Sequence, residues 1–218
     1  MAIVSDVRIL ARTRMNHNRV CIGGYSLSEQ RYVRLLVNEG IPPNNHITNM
    51  MDTVPYHIGE IYTIEYENRT DIISPHYEDV IVLKSNIKYC LSDYSEFLGF
   101  LPRIALLNLH IKDLFNGLLQ WHNRSGFLIE QSNSPNSSVM VVSLNHDLYL
   151  SKIDNNYYYY IDNGLGETFK VKYVGVYDKS HIRKVPAGTF LRFSLARWWD
   201  GNGQFSNTRA YLQLSAIY

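Results

Sequence analysis

Along most of the chain apolar and polar residues alternate in short runs, and a period of two predicts strands. Near the start, 3–11, 19–25 and 31–37 are rich in β-branched or aromatic residues and are bounded by turn formers, with Ser28-Glu29-Gln30 as a hairpin loop between the last two. The stretch 38–55, rich in Asn and Pro and without a period, predicts a long loop. Alternation resumes over 58–66, and 79–83 adds another strand. From Gly126 onward, 127–130, 139–144, 148–153, 157–161, 169–176, 189–198 and 209–217 follow at close spacing. Asn155-Asn156 supplies a hairpin turn, because Asn tolerates positive φ. Spacing of this kind marks a barrel or sandwich, not a parallel sheet crossed by helices.

The middle differs. Ser92-Asp93-Tyr94-Ser95-Glu96 reads as an N-cap with acidic groups in a first turn, where they complement the helix dipole. Ile104, Leu107, Ile111, Leu114, Phe115 and Leu118 fall at the spacing of one helical stripe, which predicts a helix over 104–120 with Gly117 near its end. The expected fold is mainly β (a β-rich α+β chain). Two small β domains, each a barrel or sandwich, occupy 1–90 and 126–218, with a helical connector over 91–125.

Composition agrees. The 218 residues are 45% hydrophobic and 19% charged, enough apolar material to bury a core without a cofactor. Seventeen tyrosines favour strands, where the ring packs and the hydroxyl reaches water. Cys21 and Cys90 are too few for a disulfide framework or a thiolate zinc site, which suits a reducing compartment. No export signal and no membrane span is read, so a cytoplasmic protein is expected. The net charge of +1 is uneven: residues 1–40 carry +3, residues 41–162 carry −7 and residues 163–218 carry +5. Two basic ends folded side by side would attract phosphate, although ordinary solvated surface has the same composition.

Particular residues suggest a family. Arg19-Val20-Cys21-Ile22-Gly23-Gly24, Arg31-Tyr32-Val33-Arg34-Leu35, Ile58-Gly59-Glu60-Ile61 and Pro75-His76-Tyr77-Glu78-Asp79 follow one another. The series resembles the bacterial dual OB-containing domain family, in which R-C-x-x-G, W-I/V-R-P and P-H-Q-x-E elements stand in that order. Tyr32 replaces the usual Trp, Leu35 the Pro and Tyr77 the Gln. The likeness is most specific over 6–84, with a weaker one at 187–189 and 194–199. It implies two OB-like barrels and a place in bacterial, often antiviral defence-associated, gene neighbourhoods. Barrels of that kind commonly bind single strands on an aromatic and basic face.

The candidate nucleic-acid-binding residues are Arg8, Arg12, Arg19, Tyr32 and Arg34 at one end, and Arg192, Arg197, Trp198, Arg209 and Tyr211 at the other. Tyr32 and Arg34 share one face of a strand and offer a stacking ring beside a phosphate fork. Equally, Arg34 closes an ion pair with Glu60 or Glu65 and Tyr32 is core. In 190–199 one face reads Leu191, Phe193, Leu195 and the other Arg192, Ser194, Trp198; in the last strand Arg209 and Tyr211 lie opposite Ala210 and Leu212. Either these form an aromatic and basic surface, or the tryptophans plug a barrel end.

Signals of catalysis are poor. There is no phosphate loop, and Gly164-Leu165-Gly166 is half of a dinucleotide fingerprint. His57 near Glu60, and His76 near Glu78 and Asp79, lack metalloprotease spacing, and Cys21 sits in an apolar strand. No catalytic residue, metal or cofactor is expected. The expectation is a non-catalytic, single-strand-type nucleic-acid-binding or adaptor subunit of a bacterial defence or DNA-processing system. The alternatives are a module that docks on a partner protein, or a small-nucleotide-binding or enzymatic subunit.

Overall fold

The computed structural model describes residues 1–38, 46–47, 49–50, 54–130, 132–177 and 182–218. The loop expected over 38–55 falls largely outside them. The chain divides into two compact units, one of residues 1–100 with 175–177, the other of residues 101–174 with 178–218.

The first unit is built from β1 (Ile3–Met15), β2 (Arg19–Ser26), β3 (Arg31–Asn38), β4 (His46–Ile47), β5 (Asn49–Met50), β6 (Ile61–Asn68), β7 (Asp79–Tyr89) and the helix α1 (Tyr94–Phe100). Five strands close in the order β1-β2-β3-β7-β6-β1, antiparallel except where β3 meets β7. A closed ring leaves no free edge among them. Alternation fills the ring: Val7, Ile9, Val20, Ile22, Val33, Leu35, Ile64 and Tyr66 are buried in one core. A bulge between Ile9 and Ala11 bends β1. There Gly24 lets β2 pass closely, since a Cβ would lie 2.5 Å from Val7 Cγ1 and 3.1 Å from the Arg8 carbonyl oxygen.

The second unit holds β8 (Leu106–Leu109), β9 (Gln120–His122), β10 (Ser125–Ile129), β11 (Val139–Leu144), β12 (Leu148–Ile153), β13 (Asn156–Asp162), β14 (Thr168–Tyr173), β15 (Lys184–Val185), β16 (Phe190–Leu195) and β17 (Arg209–Ile217). They form one sheet in the order β15-β12-β13-β14-β10-β17-β16-β11-β8, with β9 on β10 and a further pairing of β14 with β17. One face supplies the core: Leu128, Val142, Leu148, Tyr159, Ile161, Phe169, Val171, Leu212 and Leu214 pack into a single cluster. The β12–β13 turn is Asp154-Asn155, with φ of 53° at Asp154, one residue earlier than the sequence predicts. The mainly β fold agrees with the pattern of the sequence.

The expected helix over 104–120 is not continuous. After α1, which begins behind Asp93, the chain makes a 3-10 turn at Leu101–Arg103, then β8, then a second 3-10 segment at Ile111–Gly117. Leu106 and Leu107 are exposed because their backbone pairs in parallel with β11. Ile111, Leu114 and Phe115 are buried as the stripe requires, but Phe115, Asn116 and Gly117 have φ of 52°, 59° and 71°, outside any right-handed helix. Spacings of three suit a 3-10 turn as well as an α-helix, and pairing with β11 decides between them. Among the described residues no helix is long and apolar enough to cross a membrane.

Candidate nucleic-acid interface

The amino-terminal candidates do not make an open basic surface. Arg8 is 6% exposed; its Nη2 donates to Glu96 Oε1 at 3.0 Å and its guanidinium lies 5.0 Å from the Phe100 ring. Arg34 points away from the barrel core and is still only 7% exposed, because the turn before β7 covers it. Arg34 Nε donates to Asp79 Oδ1, Nη2 lies 3.5 Å from Glu78 Oε1, and Arg34 N–H donates to the Glu78 carbonyl at 2.7 Å. Arg69 Nη1 reaches the other oxygen of Asp79 at 3.4 Å, and His76 Nδ1 lies 3.8 Å from Glu78. Burial alone would lower the Arg34 pKa; the two carboxylates raise it and hold the cation charged. Its partners are thus Glu78 and Asp79, not Glu60 or Glu65. The Arg34 and His76 motifs meet in one buried ionic knot that ties β3 to β7, which corrects the expectation of a phosphate contact. Arg12 and Arg19 are half-buried, and Tyr32 is half-buried with its ring edge-on to Tyr25 at 5.4 Å.

In the first barrel a cavity of about 360 Å³ is lined by Pro55, His57, Glu60, Tyr62, Ser85 and Ile87. The Tyr62 hydroxyl lies 2.6 Å from Glu60 Oε2 and 2.7 Å from the Pro55 carbonyl. Burial and the Glu60 carboxylate raise the Tyr62 pKa, so the group stays a neutral donor to these acceptors. One Glu60 oxygen is therefore already engaged by Tyr62.

Among the carboxy-terminal candidates, Arg192 is 3% exposed, donating from Nη1 to Ser215 Oγ at 2.9 Å. That burial removes it from any phosphate-contacting surface. Trp198 packs partly against the core of its unit, and Arg197 is exposed. Arg209 and Tyr211 do come together with other rings. The Arg209 guanidinium lies 4.6 Å from the Phe127 ring and 4.1 Å from the Phe205 ring, and Trp199 stands 6.2 Å from Tyr211.

Another aromatic and basic surface lies where no candidate was placed. On β13 the alternation sends Tyr159 and Ile161 inward and Tyr158 and Tyr160 outward. Register then assembles two rows across the outer face. The first runs Lys184, Tyr149, Tyr160, Lys170 and the second Ser151, Tyr158, Lys172, Gln213. Tyr149 is 47% exposed, and the other rings of the rows are half-buried. Lys170 Nζ lies 5.2 Å above the Tyr158 ring and Lys184 Nζ 5.6 Å above Tyr149. Exposed Arg124 adjoins the rows, its carbonyl accepting from Lys170 N–H at 2.7 Å. Among the described residues no carboxylate comes within ion-pair distance of Arg124, Lys170 or Lys172, whereas Lys184 meets Asp147 at 2.6 Å. The tyrosine run 157–160 beside the Lys-Val-Lys of β14 is the signal that marks this face in the sequence.

Such a face offers flat rings and unneutralised cations side by side, the two elements that a flexible polyanion with stacking bases requires. No curated protein matches the chain. Several solved structures are similar to it, two of them as follows. One, described as "Structural mimicry for functional antagonism", is 14% identical, with 100% of this chain and 94% of that chain covered and a TM-score of 0.35. The other, described as a murine DNA binding protein bound with double-stranded DNA, is 12% identical, with 99% and 90% covered and a TM-score of 0.36. A model of the Dual OB-containing domain matches residues 5–217, nearly the whole of both units, and the chain belongs to the dual OB-containing domain family.

Proposed function

We propose that the chain is a non-catalytic protein that binds single-stranded nucleic acid on the outer face of β12, β13 and β14. The observation that carries this reading is the pair of cross-strand rows, with Tyr149, Tyr158 and Tyr160 as stacking rings and Arg124, Lys170 and Lys172 as phosphate contacts. Every base has a π-face, so stacking of this kind accepts many sequences. Among the described residues Lys170 and Lys172 meet no carboxylate, so they release counterions when a phosphate arrives. The position of His76 supports a non-catalytic role, since it is 1% exposed and faces Glu78 within the ionic knot.

Labelled oligonucleotides titrated at several salt concentrations test the proposal. Tyr160→Ala is expected to cost about 1–3 kcal/mol of binding with little change in salt dependence. Lys172→Gln is expected to flatten the log–log salt slope by about 0.7, one phosphate on a single strand. Failure of the unaltered protein to bind at low salt refutes the reading, as does equal binding by both variants. A second reading, docking of a partner protein, is favoured by Leu106 and Leu107, both about half exposed on β8 at the end of the sheet. Capture of a partner that Leu107→Asp abolishes, without oligonucleotide binding, would select it.

A further inference from the structure

The loop between β16 and β17 builds a second arrangement on the same unit. Its base is closed by reciprocal backbone hydrogen bonds between Trp199 and Arg209, at 3.0 and 2.9 Å. Gly201 has φ of 69°, and a Cβ there would stand 2.7 Å from two Phe205 ring atoms, so only glycine lets Phe205 lie down at this point. The Arg209 guanidinium carbon lies over two rings, 4.1 Å from the centre of Phe205 and 4.6 Å from that of Phe127. Held against these two rings, the guanidinium still has its N–H groups to offer. Among the described residues these bond to no protein acceptor and none is buried, and no carboxylate pairs with the group. Two acids are engaged by other groups: Glu130, whose N–H bonds to the Thr208 carbonyl, accepts from Thr208 Oγ1, and Asp200 Oδ1 accepts from Asn202 N–H. Trp199 is 47% exposed, its indole N–H donating to Asn202 Oδ1 at 3.3 Å and its ring 5.5 Å from Phe205 in an edge-on contact. An immobilised half-open indole thus stands beside a fixed, unneutralised planar cation.

We infer that Trp199 and Arg209 form a one-nucleotide clamp, taking a nucleobase on the open side of Trp199 and its phosphate on the edge of Arg209. The guanidinium fork matches phosphate oxygens, and its fixed orientation lowers the entropy lost on binding. The clamp adjoins the proposed strand-binding face: Tyr211 and Gln213 alternate outward on β17, and Gln213 is in register with Lys172. The inference rests on the single-strand reading for a strand that continues from that face. The same chemistry also fits a free nucleoside monophosphate.

The test uses the full chain, thymidine oligonucleotides of increasing length and thymidine monophosphate as probes. Affinity is expected to rise with length until the strand reaches the clamp, and Trp199→Ala should end that rise at a shorter length, with about a tenfold loss on long oligonucleotides. Arg209→Gln should flatten the salt slope by about 0.7, and Arg209→Lys should restore the slope but not the affinity. If both positions can be changed without effect while Tyr160→Ala still weakens binding, the clamp is wrong and the single-strand reading stands. If the unaltered protein binds no oligonucleotide, that reading fails, and the Trp199 indole N–H resonance, assigned by its loss in Trp199→Phe, decides the clamp. A shift with thymidine monophosphate that Arg209→Gln removes supports the clamp for a free nucleotide; no shift overturns it.

Discussion

Replacing Arg34 by alanine separates a structural cation from a ligand-binding one. The Glu78 and Asp79 side chains are 2% and 1% exposed, so removal of the guanidinium leaves two carboxylates out of water. Breaking a buried ion pair from one side costs roughly 3–5 kcal/mol. Asp79 retains Arg69 at 3.4 Å, which places the expected loss near the lower end, about 3 kcal/mol. All three tryptophans lie in the second unit, at 121, 198 and 199, so intrinsic fluorescence would not follow the first barrel. Hydrogen exchange of the β3 and β7 amides follows it directly, and about 3 kcal/mol corresponds to roughly a hundredfold faster opening. Adding Asp79→Asn to the variant should recover part of the loss, because one stranded charge is then gone. Oligonucleotide affinity and salt slope of the folded variant should equal those of the unaltered chain. A loss below about 1 kcal/mol, or a flattened salt slope with unchanged exchange, would refute the account and return Arg34 to a phosphate.

Two further outcomes probe packing and titration. Gly24→Ala should destabilise the first barrel by about 1–3 kcal/mol, read by thermal unfolding, since the new methyl meets Val7 Cγ1 at 2.5 Å and the Arg8 carbonyl oxygen at 3.1 Å. Burial pushes the Tyr159 hydroxyl, which donates to the Ile182 carbonyl at 3.2 Å, up to about 12. Between about pH 10 and 12 the unfolded chain then ionises this tyrosine and the folded chain does not, so stability falls as pH rises through that window. Tyr159→Phe should abolish that part of the alkaline loss in urea midpoints measured from pH 9 to 12, and an unchanged alkaline slope would refute it.

The alternation of apolar and polar residues is enough to place most strands, because period two survives whatever the neighbours do. Pairing was not legible: Leu106 and Leu107 fit a helical stripe by spacing and a strand only once β11 lies beside them. Arg34 shows the same limit from the other side. Its outward position on β3 follows from alternation, but the cover that buries it comes from residues 75–79, more than forty positions away. Arg192 likewise sits on the polar side of its strand and is closed off by packing around Ser215. The tyrosine and lysine rows needed three strands in register, so the signal at 157–160 and 170–172 gains its meaning only from the hairpin that aligns it. Arg209 and Tyr211 share one face of β17, but the adjacent ring is Trp199, because the loop closes on that residue and Trp198 turns toward the core.

Four successive tyrosines on β13 also mean that this part of the strand says almost nothing about its own alignment. A slip by one residue would exchange Tyr159 for Tyr158 or Tyr160 in the core, an identical side chain in each case. What forbids the slip is the end of the strand, where Ile161 would turn into water and Asp162 would enter the apolar cluster, and the two-residue turn at Asp154-Asn155 that fixes β12 against it. Alignment information for the whole tyrosine and lysine face is therefore held in a few non-tyrosine positions. Substitutions at Ile161, Asp162 or the turn are the ones that would scramble the face without touching any of its rings.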